Sequence, residues 1–498
     1  MQPSLSPTTE PKNSLFQKNF NQLLLAALGA GLLLPLFGIL GRVVALLIFG
    51  TPLLYILYLR LQHRQRSYNY FFILGFFTTG EIFFRDFALI IIPFGGYLFV
   101  LYTIIALALF DLDALIALTR NRKFTGVYTA LVLFVLWTAF SIVYSSDPYK
   151  GRWFTSLYAA AAAMTGLALA YGMSKVTRQG LIQGGLVGVM LMTGVTVGVL
   201  FSSGGRNSLG EVRLGTGWVS AVQIATVLSI GALVFIIYFY ESRRFNLIAL
   251  GCFALTSLLL FFTYSRGPLL ALMIAVSIYI VLRGSFRRGF ILTILLLIVG
   301  TFVFNLYLNR PIDTRPVTAA NSNSESLFQK RFVDLNEVTN RLPIWDAAIH
   351  IWLANPIAGV GVGGWFTAYE DYTGTIYGDS SEISDAHSVI FQAAAEGGLI
   401  AVIPLVIALI AFIVAALKHR SATGLAFISW AISIGVVANW KLAAIAFALG
   451  AAAISIWLEE CEGKDTFITR AMMAQRSSQR IKDARESQRA TTFNSTER

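Results

Sequence analysis

Charge is scarce in this chain. Only 13% of its 498 residues are Asp, Glu, Lys or Arg, about half of the roughly 25% found in soluble domains, whereas 56% are hydrophobic. With a mean hydropathy of +0.68, that balance excludes a soluble globular enzyme. Cysteine is almost missing as well. Cys252 lies in an apolar run and Cys461 in a polar tail, so neither a disulfide framework nor a cysteine-based metal site can be built. Histidine is equally sparse: His63, His350, His387 and His419 are the full set. Paired histidine ligands for zinc are therefore hard to assemble.

What is abundant is apolar sequence in long runs. Segments able to cross the roughly 30 Å hydrocarbon core recur from Asn21 to Leu458. This pattern predicts an all-α, polytopic transmembrane bundle of about twelve to fourteen spans. The expected spans are 21–40, 43–59, 70–84, 87–110, 124–144, 153–171, 181–201, 218–240, 247–262, 269–282, 290–308, 399–417, 424–437 and 442–458. The first 20 residues are polar, and an uncleaved first helix is expected after them.

The net charge of +12 does not point to nucleic acid, because its basic residues fall in short loops and the tail. Arg60, Arg64 and Arg66, then Arg120, Arg122 and Lys123, Lys175 and Arg178, Arg243 and Arg244, Arg283, Arg287 and Arg288, and Lys418 and Arg420 occupy alternate connections. The positive-inside rule makes those connections cytoplasmic. The expected organisation is then a cytoplasmic tail over 1–20, spans over 21–308, a large outer loop over 309–398, further spans over 399–458 and a basic cytoplasmic tail over 459–498.

Loops on the opposite side carry isolated arginines beside glycines. Arg206 and Arg213 lie in GGRNSLGEVRLGTG, and Arg266 lies in TYSRG. A guanidinium offers a planar fork of donors that matches phosphate oxygens and keeps its charge when partly desolvated. Snorkelling toward lipid headgroups is the competing reading for each.

The most patterned stretch is Arg341 to Gly398: RLPIWDAAIHIW, NPIAGVGVGGWF, a polar segment, then DAHSVIFQAAAEGG. Asn340 and Pro343 open a helix whose apolar positions Ile344, Ala348 and Ile351 repeat at helical spacing until Asn355 and Pro356 stop it. Gly359, Gly361, Gly363 and Gly364 suit a turn in which backbone approaches backbone or a ligand. Ser384 or Asp385 is expected to cap a second helix, with His387 in its first turn and a break at Gly397 and Gly398 before the next span. An imidazole there is suited to general-base work. Glu370, Asp371, Asp379, Glu382 and Asp385 could hold a hard cation loosely, but no metal is expected.

With RLPIW, NPIAGVGVGGWF, DAHSVIFQAAAEGG, SRG at Ser265 to Gly267 and RLGTG at Arg213 to Gly217, the chain resembles the O-antigen ligase and O-antigen polymerase superfamily of bacterial lipid-linked glycan transferases. The block from Arg341 to Gly398 is the specific part of that resemblance. The first two hundred residues match in hydropathy alone. The family often has Asn after the loop histidine, and Ser388 stands there in this chain.

The resemblance implies a multi-pass enzyme of the bacterial inner membrane, working at the periplasmic face without a cofactor. Its donor would be a glycan on undecaprenyl pyrophosphate, and its acceptor lipid A core or another glycan, with membrane lipids as surroundings. Arg206, Arg213, Arg266 and Arg341 would bind the pyrophosphate, with Arg341 equally able to pair with a loop carboxylate. His387 would orient or deprotonate the acceptor hydroxyl, which attacks the anomeric carbon with inversion. Within this class the ligase leads, followed by the polymerase and an O-linked protein glycosyltransferase. A transporter is the reading from another class, but no repeated halves or midplane ionisable residues support it.

Overall fold

The computed structural model describes residues 19–62, 64, 67–88, 103–107, 116, 122–172, 174–203, 221–241, 247–263, 265–283, 341–373, 385–437 and 443–461. The architecture is all-helical, with no strand among the described residues. In chain order the helices are α1 (Phe20–Leu33), α2 (Gly38–Leu61), α3 (Tyr68–Ala88), α4 (Arg122–Ser141), α5 (Pro148–Tyr171), α6 (Lys175–Ser203) and α7 (Ala221–Glu241). They are followed by α8 (Leu247–Phe262), α9 (Arg266–Arg283), α10 (Arg341–Ala354), α11 (Trp365–Thr373), α12 (Val389–Lys418), α13 (Ala422–Val437) and α14 (Ala443–Cys461).

Among the described residues, seven helices are long and apolar enough to cross a membrane, and α1, α8 and α13 are shorter apolar helices. The expected span 290–308 lies outside the described residues, as does most of 87–110 and of both expected tails. Several boundaries shift for local reasons. The expected first span, 21–40, is interrupted by a 3-10 turn over Leu34–Phe37, since Pro35 has no N–H to continue the helical ladder. The expected start at Trp153 moves back to Pro148, because the Asp147 side chain accepts the Lys150 N–H at 3.0 Å and Pro148 fits the first helical position.

The middle of the bundle is α6, which is buried on all sides. Without a hydrophobic driving force between helices in lipid, close backbone packing must hold it there. Gly180, Gly184 and Gly188 recur every four residues and form one face, set against Tyr68, Phe72 and Phe76 of α3. Farther along, Gly194 and Gly198 meet Leu28 and Leu32 of α1, with Gly31 reciprocally against Leu191 and Gly194. A Cβ at Gly184 would overlap the Phe72 carbonyl. The Thr79 hydroxyl ties the pair further by donating to the Gly185 carbonyl at 2.8 Å.

One end of the bundle is locked by ions. Glu241, at the end of α7, accepts from Arg178 of α6 at 2.7 Å, Arg283 of α9 at 3.3 Å and the Thr423 hydroxyl of α13 at 3.0 Å. Arg283 also pairs with Glu459 of α14 at 3.1 Å. Five helix termini therefore share this end. The beginning of α9 at Arg266 and the beginning of α12 at Val389 lie at the other end, because each helix runs away from it to reach Arg283 or Lys418. There α10, α11 and the loop between them sit on α12 and on the α4–α5 turn.

Candidate functional site

The loop between α10 and α11 is spliced into α12. At Gly398 the backbone leaves helical geometry, with φ 60 and ψ −161, a region essentially confined to glycine. A break at that point deprives the Leu399 and Ile400 N–H groups of their i−4 acceptors, and the Ala395 and Glu396 carbonyls of their donors. The loop supplies all four partners. Leu399 donates to Pro356 at 2.9 Å and Ile400 to Ile357 at 3.3 Å, while Val360 donates to Ala395 at 3.0 Å and Gly361 to Glu396 at 2.9 Å. Trp137 of α4 donates to the Gly397 carbonyl at 2.8 Å. Buried backbone groups in an apolar bundle must be paired, so loop and break require each other.

The glycines expected to form a turn do so, and their close approaches are to backbone. Gly359, Gly361 and Gly363 all have positive φ. Gly361 lies so close to α4 that a Cβ would come within 2.8 Å of the Ser145 Cα, and the Ser141 hydroxyl accepts the Val362 N–H at 3.2 Å. Glu396 finishes the anchoring. Its carboxylate, in a residue only 1% exposed, accepts the Gly363 N–H at 2.9 Å and the Trp365 N–H at 3.2 Å. Trp365 opens α11, so the carboxylate also meets the positive end of that short helix.

His387 is not in the first turn of the second helix, contrary to expectation. Asp385 Oδ1 accepts the His387 N–H at 2.8 Å, a local turn that competes with helix formation. Ala386 donates to Gln392 Oε1 at 2.6 Å. Helix α12 therefore begins at Val389, with extended Ser388 before it. His387 itself takes φ 49, rare for a residue with a side chain. This places the ring Nδ1 3.0 Å from Asp385 Oδ1. With the proton on Nδ1, the imidazole donates to the carboxylate and presents Nε2 as an acceptor, the arrangement of an oriented base. Asp385 is buried, and the His387 side chain keeps 26% of its surface exposed.

Arg266 follows a compact turn in which Thr263 Oγ1 donates to Leu260 and accepts from the Ser265 N–H. Its side chain is half-buried at the start of α9. Helix α9 packs along α13, and Gly435 near the far end of α13 backs onto Val389. Arg266 and His387 are thereby brought to the same end of the bundle. Arg341 opens α10, whose Ile344 shares a buried cluster with Ala386. The Arg341 side chain lies outside the described residues, as do Arg206, Arg213, Asp379 and Glu382. Among the described residues no three His, Cys, Asp or Glu side chains converge.

Sequence reasoning passed over Glu396 and treated Asp385 chiefly as a cap. A lone carboxylate in the apolar run before two glycines was the available signal for Glu396. Tyr158 was also missed. It is buried in α5, within electrostatic range of both carboxylates.

No curated protein matches the chain. Residues 250–406 match the family model described as O-antigen ligase. The matched segment begins in α8 and contains Arg266, α10, the spliced loop, α11, the Asp385–His387 pair and the break at Gly398. Members of this family are glycan-transferring enzymes of the ligase and polymerase type. Over residues 250–406, this multi-pass membrane protein is similar to the O-antigen ligase family.

Proposed function

We propose that the protein transfers a glycan from undecaprenyl pyrophosphate to an acceptor hydroxyl at the periplasmic face of the inner membrane, and that the acceptor is lipid A core. The observation that carries this reading is the Asp385–His387 pair, held 3.0 Å apart within the segment that matches the family model. The acceptor oxygen attacks the anomeric carbon as its proton passes to His387 Nε2, and Asp385 stabilises the imidazolium that forms. The bond from the anomeric carbon to the pyrophosphate oxygen breaks with inversion. Negative charge growing on the departing pyrophosphate is met by Arg266, Arg213, Arg206 and Arg341, an electrostatic role of the oxyanion-hole kind. A pyrophosphate leaves without help from a glycosidase-type carboxylic acid.

The test is purified protein with a polyprenyl-pyrophosphate glycan and lipid A core, resolved on a gel. One shifted acceptor band in wild type, and none in His387→Ala, is the expected result. A ladder of lengthening carrier-linked products would replace the ligase by a polymerase, and full transfer by His387→Ala would remove the histidine from the chemistry.

A further inference from the structure

Helix α10 presents three kinds of surface. Ile344, Ala347, Ala348 and Ile351 face inward, buried with Trp365, Tyr369 and Ala386. A second flank is polar: Asp346 and His350 are exposed, with the His350 ring stacked on Tyr372 at 5.0 Å and the Tyr372 hydroxyl donating to Asp346 at 3.4 Å. The third flank is apolar. Ile349 and Leu353 are exposed, the latter at 61%, and half-buried Trp345 and Trp352 border them. The Trp352 indole N–H is satisfied by the Pro356 carbonyl at 3.1 Å, so its ring can enter a nonpolar medium without stranding a donor.

This apolar flank is continuous with a surface that must face lipid. Ile357, 65% exposed, accepts from Ile400 at the start of the long half of α12. From there Leu399, Ile400, Ile403, Ile407 and Ile410 form an exposed stripe down a membrane-spanning helix. Tryptophans at the top of such a stripe, beside one polar flank and one apolar flank, mark the level where headgroups meet hydrocarbon.

We propose that α10 is an interfacial helix, with Trp345, Ile349, Trp352 and Leu353, continued by Ile357, sunk into the phospholipid boundary. Because Ala386 packs in the cluster beneath α10, the immersion of this helix sets the height of His387 relative to the bilayer. This part rests on the transferase reading: it would hold the proton acceptor at the depth where the pyrophosphate of a membrane-embedded carrier lies.

The experiment places nitroxide labels by Ile349→Cys, Leu353→Cys and Ile357→Cys in full-length protein carrying Cys252→Ala and Cys461→Ser. Ile407→Cys and Asp371→Cys serve as hydrocarbon and aqueous references, in vesicles of phosphatidylethanolamine and phosphatidylglycerol. Collision with oxygen is compared with collision with a water-soluble nickel chelate. The expected oxygen-to-nickel ratio at the three α10-region sites is severalfold above that at Asp371 and nearer that at Ile407. Ratios matching Asp371, or low accessibility to both reagents from a protein covering, would overturn the proposal. The Ile407 label reports whether insertion survived, and an immersed profile supports the proposal whether or not His387→Ala abolishes transfer.

Discussion

Removing the Glu396 carboxylate should open the loop without unseating the bundle. In Glu396→Ala the N–H groups of Gly363 and Trp365, at 2.9 and 3.2 Å from Oε1, lose their acceptor in a site from which water is excluded. Each stranded donor costs ~1–3 kcal/mol, so ~2–6 kcal/mol together, against a total stability of about 5–15 kcal/mol. Glu396→Gln keeps a carbonyl acceptor and loses the charge assistance, a smaller penalty of ~1–2 kcal/mol. Hydrogen exchange in detergent or nanodiscs reads this directly. Peptides covering 355–366 should exchange at least ~10-fold faster in Glu396→Ala, since ~1.4 kcal/mol is a factor of ten, with Glu396→Gln in between. Peptides from the long half of α12 should keep their protection, because their own ladder is intact below Gly398. Unchanged exchange over 355–366 in Glu396→Ala would refute the idea that this carboxylate fastens the loop.

Asp385→Asn preserves an oxygen for the His387 N–H and so the local turn, but removes the charge beside the imidazole. Transfer should fall by roughly 10²–10⁴-fold with little change in donor KM, and wild-type turnover would exclude Asp385 as the orienting group. Arg266→Lys keeps the charge and loses the planar fork, so transfer should drop sharply while membrane insertion stays normal; undiminished activity in both Arg266→Lys and Arg266→Ala would take this residue out of the site. Transfer should persist in excess EDTA if the arginines alone handle the leaving pyrophosphate, and loss of activity that returns on adding a divalent cation would show that a metal takes part.

Hydropathy alone located most of the described helices, because a span must satisfy its backbone internally and be apolar over a fixed length. The apolar run Leu247–Phe262 coincides with α8 at both ends, and the two glycines before Leu399 mark the break at which the long half of α12 starts. The candidate histidine is also legible, as one of two in the patterned insert, and it follows Asp385 while His350 lies within the first helix. The conformation of His387 is not. Whether Asp385 caps a helix or folds back on the His387 N–H is a contest of local hydrogen bonds, and the second outcome is accompanied by a local bond from Ala386 to Gln392 and by burial of Ala386 against the α10 cluster, which tertiary packing supplies. The same holds for Glu396 and the glycines. Sequence showed that backbone comes close somewhere, but the partners Ser145, Gly398 and Trp365 are distant or on separate elements. Only the folded chain, by pairing four backbone groups freed at one helix break with one loop, decides where those approaches occur.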